Sequence, residues 1–385
     1  MIKMDDFIDD ICQFRKLLHR NPEIAGKEHF TCAAIREKLS EIPGVRVMPP
    51  FLDTDTVAFI DGVAPGRNVT LRADIDALPV QEKSGVEFAS EIPGMMHACG
   101  HDVHTAILLG CAKKLAAEKN DFKGSIRLVF QPGEECIAMA KDLISAGALT
   151  SPEPDFVAAL HVEPGLPLGH IGVRSGAMAS ACLHYRVIFS GKGGHGSAPH
   201  KSRSPVMAAV AAVNELQYVI NTRIDPQRAA LLSVCSISGG NNSENVIPKE
   251  CTFAGTLRAL DNDTVNDLRD ALNEVCNAVA SAHRLTCEIK VSGYYPAVIN
   301  PESGVELAVD VAEKNHLTVK KLSESAMSSE DFSYFLMNSP DGVFVRLGIG
   351  ENLPPLHNPE FIVPEEVIPL GIDYMSKIAL AALNK

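Results

Sequence analysis

The chain has 385 residues, enough for two domains and a sizeable core. Apolar content of 46% and charged content of 22% are those of an ordinary globular protein, and a net charge of −13 argues against nucleic acid and anionic membrane surfaces as partners. No run of about 18 apolar residues is present, the acidic start Met1-Ile2-Lys3-Met4-Asp5-Asp6 has no signal core, and ten scattered cysteines read as reduced thiols of a cytoplasmic protein.

Residues 5–19 place Phe7, Ile11, Phe14 and Leu18 on one helical face, and a second helix is expected over 29–40. Short apolar segments follow at 56–60, 69–73, 126–130 and 156–161, with helical patterns at 102–118 and 137–147. Strand alternating with helix implies an α/β fold, a mostly parallel sheet with helices on both faces. Between 180 and 292 the pattern changes. Strands at 182–190, 229–238, 249–259 and 285–293, with helices at 204–220 and 263–283, give the β-α-β-β-α-β order of a ferredoxin-like α+β domain. Helices then fit 303–315, 330–337 and 365–382, and a strand fits 343–348. The expected organisation is a catalytic domain, 1–179 and 293–385, interrupted by a lid domain at 180–292. Gly176 and Gly293-Tyr294-Tyr295-Pro296 mark the two crossings, which suit a hinge.

The stretch Met95–Ala106 concentrates the chemistry. It carries Cys99, His101, Asp102 and His104, with His97 just before them. Thiolate and imidazole are ligands that borderline divalent metals prefer, and Gly100 frees the backbone so that Cys99 and His101 turn toward one point. In open α/β sheets ligands bind at the carboxyl ends of strands. Those ends carry Asp74 and Asp76, then Gln131-Pro132-Gly133-Glu134-Glu135, then His161-Val162-Glu163, and the last strand leads to His357. Cys99, His101, Glu135, His161 and His357 make a plausible cage for two divalent metals, and because the adjacent side chains of Glu134 and Glu135 point in different directions, one can bind metal while the other faces the metal-bound water as general base. Asp76 is expected to orient a ligand. Asp74 is expected either to do the same or to bond loop amides. His97 and His104 are expected to be structural. In the lid, the Gly-rich run Gly191–His200 carries His195, while Asn245 and Arg258 lie on or beside lid strands. Arg258 suits a two-pronged grip on a carboxylate.

The chain resembles the amidohydrolase branch of the aminoacylase/carboxypeptidase family of dinuclear metallohydrolases, which includes hippurate hydrolases, auxin-conjugate hydrolases and N-acetyl-diaminopimelate deacetylases. The carriers are Leu18-His19-x-x-Pro22-Glu23, Arg72-Ala73-Asp74-Ile75-Asp76, Met96-His97-Ala98-Cys99-Gly100-His101-Asp102-x-His104, Gln131-Pro132-Gly133-Glu134-Glu135, Leu160-His161-Val162, Gly193-Gly194-His195, Asn245-Val246-Ile247-Pro248, Gly255-Thr256-Leu257-Arg258, Ser329-Glu330-Asp331-Phe332 and Leu356-His357-Asn358-Pro359. The resemblance implies that Cys99, His101, Glu135, His161 and His357 bind two metals, with Glu134 as base. It also implies a lid that closes over substrate and forms a homodimer contact. Two positions depart from the family pattern. A run of glycines is replaced by Cys136-Ile137-Ala138-Met139, and an aromatic residue by Glu163. Of the two roles open to Ile137 and Met139, lining a pocket or starting the helix, the second is expected.

The leading expectation is hydrolysis of the amide bond of N-acyl amino acids or related small amides, with zinc or manganese ahead of cobalt or nickel. A dipeptidase or aminopeptidase of the same fold is the alternative. A cysteine amidase built on Cys99 and His101 leaves the carboxylates unexplained. A non-catalytic binding protein leaves an intact base and ligand set unexplained.

Overall fold

A computed structural model describes residues 4–135, 137–240 and 243–385. Cys136, the first of the departures noted above, lies outside the described residues. The chain divides into two compact units. One comprises Met1–Met178, Val298–Glu324 and Asp331–Lys385, and the other Ala179–Ala297 and Ser325–Glu330.

The first unit is built on an eight-stranded sheet. Its middle is four parallel strands in the order Ser125–Gln131, Asn68–Asp74, Phe156–Pro164, Gly342–Gly350. These strands are buried at nearly every position, as strands covered on both faces must be. Strands Thr56–Asp61 and Val45–Val47 add antiparallel on one side, and Ile171–Val173 on the other. Helices His101–Ala117 and Val367–Leu383 pack on each other and on the central strands, and His101–Ala117 is buried along almost its whole length. Register sets Asp74 beside Gln131 and His161 beside Arg346, so the carboxyl ends of neighbouring strands share one rim. This is the mostly parallel α/β architecture expected.

Two helices are shorter than their sequence patterns suggest. The helix expected over 137–147 spans only Ala140–Ser145. Ahead of it, Gly133 and Ala138 have φ of +63° and +51°, and the amides of 133–135 are bonded to carboxylates from elsewhere in the chain. The segment is therefore a turn, and Ile137 does not start a helix but is half exposed. The helix expected over 330–337 is reduced to Ser333–Met337, because Asp331 is drawn into a buried polar network.

The second unit is an antiparallel sheet in the order Ala230–Gly239, Glu250–Ala259, Ala181–Ser190, Thr286–Tyr295. Helices Pro205–Arg223 and Asn262–His283 cover it. That is the strand order of a ferredoxin-like domain, with Ala230–Gly239 at an edge. Leu183, Tyr185, Val187 and Phe189 alternate inward along one strand, as in a sheet covered on one face. Asp261 caps the second helix, its carboxylate accepting from the Thr264 N–H at 2.7 Å. Strand Thr286–Tyr295 passes a bulge, so this unit continues past 292 to Ala297. Segment Ser325–Glu330 belongs here too: the Ser180 N–H donates to the Ala326 carbonyl at 3.0 Å. Among the described residues no helix is long and apolar enough to cross a membrane.

Candidate metal centre

Helix His101–Ala117 begins at the rim of the parallel strands. Its N-cap, Gly100, has φ +87°, and a Cβ there would stand 2.6 Å from Val162 Cγ2. Only glycine permits both the turn and the approach of Cys99 and His101 to strand Phe156–Pro164. The His101 Nδ1–H donates to the Asp76 carbonyl at 2.9 Å, which leaves Nε2 buried with no hydrogen-bond partner. The His161 Nδ1–H donates to the Val162 carbonyl at 2.7 Å, and Nε2 stands 3.4 Å from Cys99 Sγ. Each imidazole is thus tied through one nitrogen and offers the other. On the opposite side His357 Nε2 lies 3.1 Å from Glu135 Oε1. His357 has φ +66°, uncommon for a side chain this large, and its N–H is anchored on the Ala98 carbonyl at 2.8 Å. Ligand atoms of Cys99, His101 and His161 lie within 4.8 Å of one another; so do those of Cys99, Glu135 and His357, and those of His101, Glu134 and Glu135. The structure therefore brings together all five expected ligands and the expected base.

The electrostatics explain what such a cluster lacks. Burial opposes charge on His101, yet Asp74 and Asp76 override it and lift its pKa to about 10. Burial, then the charges of Glu135, Glu134 and Asp74, push the Cys99 thiol well above its ordinary value. Burial, with His104 and Arg346 nearby, keeps His161 neutral. Burial opposes charge on Glu135 and on His357, yet their close pairing at 3.1 Å lowers the pKa of the one and raises that of the other. A buried group of carboxylates and thiol that protonates its own histidine is short of positive charge. Divalent cations with Cys, His and Glu ligands supply it, and His101 Nε2, which has no hydrogen-bond partner and only Asp74 Oδ1 at 3.8 Å, is available to receive one.

Residues 70–381 match the family model Peptidase family M20/M25/M40. The chain belongs to this family. It is 34% identical to thermostable carboxypeptidase 2 of Saccharolobus solfataricus, with 98% of this chain and 96% of the relative covered. It is 36% identical to the N-acetyl-L-cysteine deacetylase of Bacillus subtilis, covering 92% of this chain and 83% of the relative. Among solved structures it is similar to a dinuclear metal binding peptidase of the M20 family from Bacillus subtilis, at 29% identity and TM-score 0.85 with 99% of each chain covered. As a member of the M20 family the chain is a metal-dependent amidohydrolase.

Around the M20 centre the structure supplies the bonding partners of residues that the sequence motifs name but cannot pair. Asp76 accepts from the N–H groups of Glu134, at 3.1 Å, and Glu135, at 2.9 Å, and so fixes the backbone of both besides anchoring His101 through its carbonyl. Among the described residues the Asp74 carboxylate bonds side chains rather than loop amides, taking the His104 Nδ1–H at 2.6 Å and Arg72 Nη1 at 2.6 Å. Since His104 Nε2 accepts from the Val162 N–H at 3.0 Å, both of its nitrogens are used and it braces the His161 strand. Arg72 also donates to Gln131, at 2.8 Å, and to Asp331, at 2.8 Å; Asp331 in turn accepts from the Ala140 N–H at 3.0 Å, beyond the Glu134–Glu135 turn. Asp102 accepts from Arg15 at 2.6 Å and His19 at 2.8 Å, locking the first helix to the His101 turn. Burial drives the pKa of His97 down to about 3, and neither ring nitrogen has a hydrogen-bond partner. Glu163, which departs from the M20 pattern, is half-buried, with Arg346 Nε at 3.4 Å.

The remaining expected residues lie in the second unit. His195 pairs with Val246 in a two-stranded ladder, and the Gly196 N–H donates to the Asn245 carbonyl at 2.7 Å, so His195 and Asn245 are neighbours. His195 is exposed, and its Nδ1 accepts from the Ser197 N–H at 3.1 Å, leaving Nε2 to donate. Arg258 donates through Nη1 to the Met327 carbonyl at 2.7 Å.

Proposed function

We propose that this M20 enzyme hydrolyses the amide bond of N-acyl amino acids or closely related small amides, with Cys99, His101, Glu135, His161 and His357 holding two divalent ions and Glu134 as general base. The observation that carries the reading is that those five side chains and Glu134 form overlapping clusters of ligand atoms joined through Cys99, His101 and Glu135, with His101 Nε2 buried and lacking a hydrogen bond. Zinc and manganese suit this donor set best. When bound, the ions acidify a water and polarise the acyl carbonyl. Glu134, 7% exposed and held through its main chain by Asp76, takes the proton from the attacking water and passes it to the leaving amine. His195 supplies an N–H to the oxyanion, from its own chain or from a second copy paired through the edge strand Ala230–Gly239. Arg258 and Asn245 bind the substrate carboxylate.

The relative named as a deacetylase supports an acyl amino acid as substrate, and the one named as a carboxypeptidase supports a short peptide. Both substrates present a free carboxylate next to the scissile amide, which the same groups would read. The Cys99 nucleophile is disfavoured, because burial, and then the surrounding carboxylates, push that thiol well above its ordinary pKa. Nine free cysteines among the described residues support a reducing, cytoplasmic setting. The test is a panel of N-acetyl, N-benzoyl and long-chain acyl amino acids alongside dipeptides, with each metal added in turn. Turnover that a chelator abolishes and metal restores supports the reading; turnover indifferent to chelation sinks it.

A further inference from the structure

The turn that carries Glu134 and Glu135 is suspended by three consecutive amides, and each donates to a buried carboxylate. Glu134 and Glu135 donate to Asp76, while Gly133 donates to Glu28 Oε1 at 2.9 Å. Glu28 Oε1 also takes the Gly26 N–H at 2.9 Å, and the residue is 0% exposed. Glu28 stands at the N-cap of helix His29–Ser40, where a carboxylate ordinarily serves its own helix, yet its side chain makes no such bond. Glu23 does that work instead, accepting from the N–H groups of Phe30 at 3.0 Å and Thr31 at 2.8 Å. The carboxylate of Glu28 is thus released from helix capping and spent on the turn before the base. Its surroundings make that costly: burial and the nearby charge of Asp76 raise its pKa to about 7 against the pull of the bonded amides. Position 133 itself admits only glycine, because φ is +63° and a Cβ would meet Met139 Sδ at 2.5 Å.

We propose that Glu28 is a positioning residue for catalysis, fixing the Gly133 amide and, through the turn, the aim of Glu134. The inference rests on the reading of Glu134 as base. Glu28 touches neither substrate nor the reacting atoms.

The test compares Glu28→Gln, which keeps an acceptor for both amides, with Glu28→Met, which keeps the volume and removes it. Glu28→Met should lower kcat by about ten- to a hundredfold, with KM and metal content essentially unchanged. Hydrogen exchange of the 133–135 amides in the protein as isolated should quicken by about tenfold or more. Glu28→Gln should restore slow exchange and bring kcat to within about threefold of the parent. Unchanged kcat and exchange in Glu28→Met, equal damage in both variants, or a fall in kcat that merely follows lost metal would each overturn the proposal. Glu134→Gln separates the two readings. If that variant turns over normally the base assignment fails, whereas an inactive Glu134→Gln beside a fully active Glu28→Met refutes Glu28 alone.

Discussion

Replacing Asp76 with Asn tests how the centre is held together. The carboxylate accepts the Glu134 N–H on Oδ1 at 3.1 Å and the Glu135 N–H on Oδ2 at 2.9 Å. An amide side chain has one acceptor, so whichever way it is turned, one main-chain N–H faces an NH₂ group. A lost hydrogen bond to a charged acceptor is worth about 1.5–3 kcal/mol. If the turn must recover that energy to aim Glu134, the rate falls by roughly ten- to a hundredfold, the range found when groups supporting a metal ligand are removed. His101 keeps its main-chain anchor on the Asp76 carbonyl at 2.9 Å, so metal occupancy at saturating concentration should persist. Steady-state kinetics with elemental analysis of the same sample measures both quantities. A kcat within about twofold of the parent at full occupancy would refute the reasoning, because it would mean the turn does not need its carboxylate.

Other outcomes follow from the same geometry. Cys99→Ser and His161→Ala should each weaken metal binding sharply, which metal competition titration reads; about two ions per chain retained at parental affinity in both would contradict their assignment as ligands. Glu134→Gln should cut turnover by about a hundredfold or more with metals in place, while Glu135→Gln should lose metal, and the reverse pattern would exchange their roles. Arg258→Ala should raise KM for acyl amino acids but not for substrates with an amidated carboxyl, and an equal effect on both would point to a defect in the second unit. His101 in the metal-free protein has its pKa raised to about 10. A histidine raised in this way adds stability that is complete below about 6.5 and is lost as pH climbs through about 10. Chelated protein should therefore lose this contribution to thermal stability over that window, and metal, which needs the neutral imidazole, should bind more tightly with each step upward. Affinity that is flat between about pH 7 and 9 would count against it.

Much of the centre was legible because its chemistry is local. Cys99 and His101 flank the one glycine that allows their turn, and Glu134 and Glu135 are adjacent, so residue type and spacing announce them. The four parallel strands were legible as continuous apolar runs, and the rule that ligands gather at their carboxyl ends placed His161 on the same rim. The helix expected from 137 was misread for a physical reason. Its periodic apolar residues are real, but the amides just ahead of them are committed to Glu28 and Asp76, and the chain turns before it winds.

By itself, the sequence determined which side chains can ligate, which stretches are apolar enough to be buried on both faces, and the alternation that orders strands and helices in each unit. Only the tertiary structure decided which polar groups are bonded to which. Arg72 reaches Asp331 across 259 positions, and Gly133 reaches Glu28 across 105. A carboxylate such as Glu28 looks in sequence like any helix-start acid; packing buries it and turns it to the Gly26 and Gly133 amides that happen to lie beside it. Hydrogen-bond partnership over such separations has no periodicity and no spacing to betray it, because it is set by the register of strands and the docking of helices.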